Sequence, residues 1–108
     1  MRQAAILYKK ETAGLLTQLD DGSFIFRYND HWFSDVSKPA ISLTLSKKKQ
    51  EYQSESFFPF FYNMLPEGSN KQTVCFENRI DTKDYFGILI TTAKQDTIGA
   101  ITIKKITL

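Results

Sequence analysis

Asp21-Gly22, set between the apolar runs 15–19 and 24–28, limits the folding of this chain more than any other feature. Glycine takes the positive φ of a tight turn without steric cost, so the pair reverses the chain and lays the flanking runs antiparallel. A third run, 4–8, precedes them and is divided from 15–19 by Lys9-Lys10-Glu11. The first three segments therefore read as an antiparallel meander. Phe24, Phe26 and Tyr28 share one face at period two, and Ile41, Leu43 and Leu45 are predicted to do the same. Each strand should thus cover a core on one side only. Pro39 suits the start or edge of the second of these strands.

After Tyr52 the periodicity changes. Phe57, Phe58, Phe60, Phe61, Met64 and Leu65 recur at helical offsets, which predicts a helix entered from Ser54 or Ser56 and stopped by Pro66 and Gly68. Pro59 fits its first turn, and Phe60, Phe61 and Leu65 are expected to face the core. Residues 69–79 are expected to form a second short helix. A third is expected over 83–93, capped by Asp81 or Thr82, with Tyr85, Phe86, Leu89 and Ile90 as its buried face. Gln95-Asp96-Thr97 then turns the chain into a closing strand, 98–107. The pattern is α+β: a small antiparallel, barrel-like sheet of about five strands, with two or three short helices between the early strands and the last one. Residues 1–108 are expected to form a single domain.

Composition narrows the function. Nine Phe, five Tyr and one Trp supply the apolar surface that a folded 108-residue chain needs, which argues against disorder. Fourteen basic against twelve acidic residues leave a net charge of only +2, which disfavours a strongly basic nucleic-acid module. Lys47, Lys48 and Lys49 form the one basic cluster, and Glu51 and Glu55 follow it at once. A single cysteine, Cys75, has no disulfide partner. Charge interrupts the first residues before a signal-peptide core forms, and no apolar run approaches the ~20 residues of a membrane helix. A cytoplasmic protein without membrane contact is expected.

The residues for chemistry are sparse. One histidine, His31, stands between Asp30 and Trp32, and reads as a surface residue rather than a base. Cys75, among apolar neighbours, reads as a packed and inert thiol. No Cys or His pair starts a zinc site. The glycines at 14, 22, 68, 87 and 99 are too scattered for a phosphate loop, and no kinase catalytic segment is present. The chain is accordingly expected to be no enzyme, and to need no cofactor or metal. Trp32 and Phe33 are one candidate contact surface, although Trp32 reads more readily as closure for one end of the core.

Several segments taken in order resemble the amino-terminal subdomain of the HipA-type Ser/Thr kinase toxins. They are Ala13-Gly14-Leu15, Phe24-Ile25-Phe26-Arg27-Tyr28 with Trp32, and Pro39-Ala40-Ile41-Ser42-Leu43-Thr44-Leu45. Phe60-Phe61-Tyr62-Asn63-Met64-Leu65-Pro66-Glu67-Gly68, Phe86-Gly87-Ile88-Leu89 and Gln95-Asp96-Thr97-Ile98-Gly99-Ala100-Ile101 complete the series. The stretch from Phe60 to Gly68 is its most specific part. Thr44-Leu45-Ser46 departs from the family's Ser-Leu-Pro ending, and Gln95 stands where glycine is usual.

In the full-length toxins this subdomain precedes a kinase body that carries the catalytic machinery. A free-standing copy is similar to the small HipS-type subunit of the three-component HipBST toxin-antitoxin systems. The resemblance implies a non-catalytic subunit that docks on a HipT-like kinase toxin and modulates or neutralises it, in systems that also include a HipB-like helix-turn-helix DNA-binding protein. It also implies a docking element. Pro66 and Gly68 stiffen the turn after the aromatic helix and present Leu65, Glu67, Ser69 and Asn70 to a partner at low entropic cost. The same residues also read simply as a helix stop. Two further functions stay open: a detached kinase piece that completes its parent's structure, and a weak nucleic-acid or regulatory module using the 47–49 lysines.

Overall fold

Five strands form one antiparallel sheet in the order β4-β3-β2-β1-β5, seen in a computed structural model that describes residues 1–92 and 100–106. β1 (Arg2–Tyr8), β2 (Glu11–Gln18) and β3 (Phe24–Tyr28) make the expected meander. At the Asp21-Gly22 turn, Gly22 has φ +89°, and its N–H donates to the Leu19 carbonyl at 2.9 Å. Asp21 accepts from the Ser23 N–H at 2.9 Å and the Ser23 hydroxyl at 2.6 Å, which holds its carboxyl below the usual range. The turn between β1 and β2 is tighter in composition, because Lys9 and Lys10 take φ +48° and +71° without being glycine.

β2 carries an irregularity opposite Ile6 and Leu7, where the register passes from Gly14 to Thr12. The skipped Ala13 turns its carbonyl to the Asn29 N–H at 2.9 Å. Beside it, Gly14 must lack a side chain, since a Cβ would lie 2.6 Å from the Arg27 carbonyl oxygen and 2.9 Å from the Phe26 ring. The Ala13-Gly14 pair thus lets β3 and its phenylalanine close down on β2.

Residues 41–45 depart from the expected strand. They form a single 3-10 turn, Leu43–Leu45, capped by the Ser42 hydroxyl, and Leu43 is fully exposed. The cause is Tyr28. Its buried hydroxyl accepts from the Ile41 N–H at 3.0 Å and donates to the Leu45 carbonyl, satisfying backbone groups that a strand would have paired in a ladder. Burial raises the Tyr28 hydroxyl to a pKa of about 12. Ile41 and Leu45 remain buried on either side of the extended Ser42 and the exposed Leu43. The fourth strand is instead β4 (Glu51–Ser54), paired with β3 from Phe24↔Ser54 to Arg27↔Glu51.

The aromatic helix also begins later than expected. Pro59 biases the preceding residue away from helix, and Phe58 is extended at φ −63°, ψ 131°. Neither Ser54 nor Ser56 caps it; α2 comprises Pro59–Tyr62, with proline in its first turn. α3 (Gly68–Asn78) agrees with the second expected helix, and a short helix, α1 (Asp30–Ser34), surrounds His31. α4 (Tyr85–Thr92) is capped by Asp84, whose Oδ1 accepts from the Gly87 N–H at 3.1 Å, rather than by Asp81 or Thr82. Phe86, Gly87, Ile88 and Leu89 are all buried on it, so the apolar face is wider than the expected one and includes Ile88.

The closing strand, β5 (Ile101–Ile106), pairs antiparallel with β1, opposite Gln3 to Tyr8. The expected turn at 95–97, Ile98, Gly99 and Thr107 lie outside the described residues. Ile6, Leu16, Phe26, Tyr28 and Ile103 from the sheet meet Phe61, Phe86, Ile88 and Leu89 from the helices in one buried cluster. Phe61 is its hub, with the Phe26, Phe57, Phe58 and Phe60 rings 5.2 to 6.4 Å away at tilted or edge-on angles.

Candidate functional site

Helix α2 ends by tightening. Met64 donates to the Phe61 carbonyl at 3.1 Å and Leu65 to that of Tyr62 at 3.0 Å, and both side chains are buried. These two residues anchor the end of the helix in the core. Beyond them Pro66 is half-buried, whereas Glu67, Gly68, Ser69 and Asn70 are exposed. Glu67 is extended, and Gly68 has φ +58° with open space around its missing Cβ, so conformation and not crowding selects glycine there. The segment is therefore both the exit of α2 and the entry of α3, and proline and glycine set its direction on either side of Glu67.

Beside the turn lies a concavity of about 160 Å³ lined by Tyr62, Leu65, Pro66, Glu67, Gly68 and Lys71. Tyr62 is 46% exposed, and its ring stands edge-on to Tyr85 with centroids 5.3 Å apart. The Lys71 ammonium sits 5.1 Å from the Tyr85 ring centre. The site thus combines an apolar floor with one carboxylate and one ammonium at its rim. It brings together no nucleophile and base.

The second candidate surface divides. Trp32 is 1% exposed, its Nε1 donates to the Pro39 carbonyl at 2.8 Å, and its ring packs 5.7 Å from that of Tyr8. It closes one end of the core, and offers no face to a partner. Phe33 is half-buried against the same core, and neither residue lines the concavity at the 66–70 turn.

The basic trio is not a patch either. Lys47 donates to the Asp35 and Lys38 carbonyls at 2.7 and 2.8 Å, Lys49 covers the Tyr52 ring at 5.1 Å, and Lys48 is exposed. His31 is exposed, with Nε2 3.9 Å from Glu11 Oε2, and Cys75 is buried in α3. Among the described residues no group of three or more His, Cys, Asp or Glu could hold a metal ion.

Sequence reasoning missed Phe76, which projects from α3 at 86% exposure. Its signal lay in the helical period. Once Cys75 is the buried residue of α3, its neighbour falls about 100° around the helix, and Ser69, Gln72 and Thr73 accompany Phe76 as exposed residues. α3 buries Cys75 alone, so most of it faces outward from the 66–70 turn.

A sheet with helices laid on its core, a glycine-closed second strand and an exposed turn after an aromatic helix define a small α+β domain. Residues 4–104 match the HipA N-terminal domain family, and the chain belongs to that family. The solved N-terminal domain of HipA toxin superposes with a TM-score of 0.73 at 26% identity, covering 99% of this chain and 94% of that one. An uncharacterised protein of Haemophilus influenzae is 29% identical over 97% of this chain and 93% of its own length. The protein of Sinorhizobium fredii named "Putative kinase Y4dM" is 29% identical over 86% of this chain, which corresponds to 24% of that protein. The family is the N-terminal domain of HipA, distinct from the catalytic domain of those kinases. No described helix is long and apolar enough to cross a membrane.

Proposed function

We propose that this chain is a non-catalytic binding subunit of a bacterial toxin-antitoxin system, HipS-like in role, which docks on a HipA- or HipT-like Ser/Thr kinase and restrains it in the cytoplasm. The observation that carries the proposal is the exposed 66–70 turn, fixed to the core by Met64 and Leu65 and bordered by a concavity. A turn whose direction is already set loses little entropy when a partner orders it, so its polar tip can enter a catalytic cleft. The outward face of α3, with Phe76, continues the contact surface. A HipB-like DNA-binding protein completes the assembly, and this chain makes no nucleic-acid contact of its own.

The match within a longer kinase-named protein favours a second reading, in which the chain completes a kinase without restraining it. Co-purification with a HipA- or HipT-like kinase from the same organism, followed by phosphorylation assays with and without the chain, separates the two. Restraint lowers kinase activity on addition, whereas completion raises it. Glu67→Lys, Ser69→Trp and Asn70→Ala are each expected to melt within about 0.5 kcal/mol of the parent, as exposed substitutions do. In the complex the reversed charge at Glu67 should weaken binding by a few kcal/mol. Normal binding and rescue from toxicity by all three variants would remove the turn from the interface.

A further inference from the structure

The sheet ends at β5, and among the described residues no strand pairs with its outer side. The Lys9 N–H donates to the Ala100 carbonyl at 2.9 Å, and antiparallel pairing alternates from that point. Thr102, Lys104 and Ile106, opposite Leu7, Ala5 and Gln3, therefore turn their backbone groups toward β1. The N–H and C=O groups of Ile101, Ile103 and Lys105 point away from the sheet. Such a row is a template for a further strand. A cavity of about 400 Å³ lined by Leu7, Thr102, Ile103, Lys104 and Lys105 runs along this edge. Lys104 and Lys105 are both exposed and, being consecutive in a strand, lie on opposite faces of the sheet.

We propose that β5 is a docking edge for an extended acidic segment of a partner protein, which adds to the sheet as a sixth strand. Backbone pairing supplies the binding, and the two lysines select a segment with carboxylates on both faces. Leu7 and Thr102 receive its smaller apolar side chains. A second copy of this chain fits the edge poorly. Pairing β5 with β5 would bring the lysines of the two copies opposite or diagonal to each other. The other sheet edge, β4, carries a single acidic residue, Glu51, and a β4-on-β5 contact would run head to tail rather than as a two-fold dimer. This surface is separate from the 66–70 turn, so the proposal stands independently of the kinase reading.

The test uses the whole chain and two fluorescein-labelled peptides, TVEEVT and TVKKVT. TVEEVT should bind in an anisotropy titration, more weakly as salt is added, with amide shifts concentrated at Ile101, Ile103 and Lys105 in the NMR spectrum. TVKKVT should bind at least about tenfold more weakly, and Lys104→Glu with Lys105→Glu should reverse that preference. Lys105→Pro removes an outward N–H while leaving the β1 ladder intact, so it should weaken TVEEVT more than Lys105→Ala does. Equal binding of the two peptides, no binding of either, or shifts elsewhere would overturn the proposal. So would concentration-dependent self-association that the double lysine variant abolishes, since that result assigns the edge to a second copy.

Discussion

Gly87→Ala should destabilise the parent protein yet stabilise a variant that lacks Asp84. Gly87 lies in the first turn of α4, and a Cβ built there would sit 2.3 Å from Asp84 Oδ2 and 2.9 Å from its carboxyl carbon. That carboxylate is already committed. Its Oδ1 accepts from the Gly87 N–H at 3.1 Å and from Arg2 at 2.6 Å, while Oδ2 accepts from Arg2 at 3.1 Å. The Arg2 guanidinium also covers the Phe86 ring at 5.0 Å, so the cluster ties the start of β1 to the start of α4. An alanine methyl expels the carboxylate and removes both functions. Losing an N-terminal cap costs about 1 kcal/mol. The Arg2 pair, whose side chains are 40% and 31% exposed, adds at most about 1 kcal/mol. Against this, alanine in a helix gains up to about 1 kcal/mol over glycine.

The parent should therefore lose about 1 kcal/mol on Gly87→Ala, the two costs together outweighing the gain in propensity. In an Asp84→Ala background the costs have already been incurred, and the same substitution should gain up to about 1 kcal/mol. Urea denaturation followed by circular dichroism measures all four corners of the cycle, and the predicted coupling is about 1–2 kcal/mol. Equal destabilisation by Gly87→Ala in both backgrounds would refute the reasoning, because the glycine would then be required by the helix packing and not by the carboxylate.

Acid should reveal the same cluster, since Arg2 hydrogen bonding chiefly holds the Asp84 carboxyl below its ordinary value of 3.8. A depressed folded value means that the stabilisation is complete above the unfolded pKa and is lost as pH falls through the folded one. The stability gap between parent and Asp84→Asn should hold steady above about pH 5 and narrow below about pH 4; a gap that widens on acidification would contradict this. Phe61→Ala, which empties the hub of the aromatic cluster, should cost about 3–5 kcal/mol in urea denaturation. A near-normal melt with lost kinase binding would instead make Phe61 an interface residue. Lys9→Asn with Lys10→Gly should stabilise the chain by up to about 1 kcal/mol, because both lysines hold left-handed backbone that asparagine and glycine adopt more readily. An unchanged or lower denaturation midpoint would show that Lys9, whose ammonium lies 5.7 Å from the Tyr8 ring centre, contributes more than its backbone costs.

The meander was legible in the sequence because one local device, Asp21-Gly22, determines direction and the alternation of Phe24, Phe26 and Tyr28 determines the face. Both act within a few residues. The segment at 41–45 was misread for the opposite reason: what decides it is a hydroxyl thirteen residues upstream in sequence, Tyr28, which occupies the Ile41 N–H and the Leu45 carbonyl. Alternation at 41, 43 and 45 carries no trace of that distant hydroxyl, so periodicity over five residues reads as a strand. β4 escaped notice because Glu51, Tyr52, Gln53 and Ser54 are too few and too polar to announce a strand. Its pairing partner, β3, is what makes it one. The cap at Asp84 was hidden by nearer competitors. Asp81 does bond locally, accepting from the Lys83 N–H at 2.8 Å, but the helix starts one turn later, where Arg2 from the far end of the chain reaches Asp84.

The candidate site was legible to a different degree on each of its elements, and burial explains the difference. Leu65 and the 66–70 turn could be placed because an apolar run followed by proline and glycine defines both a buried anchor and an exposed exit. Trp32 reads from sequence as core closure before contact surface, which its burial bears out, although an aromatic at the end of a core and an aromatic on a surface have the same neighbours in the chain. Its indole N–H resolves the matter by reaching the Pro39 carbonyl. Phe76 carries the opposite lesson. An exposed aromatic on a helix that buries only Cys75 adds little to the stability of this fold, because its ring remains in water when the chain folds. Core packing and exposed surface thus belong to different residues of adjoining elements: Phe61 on α2 supports the core, whereas Phe76 and the 66–70 turn face away from it. Substitutions at Phe76 should consequently separate a melting measurement from a binding one, while those at Phe61 should not.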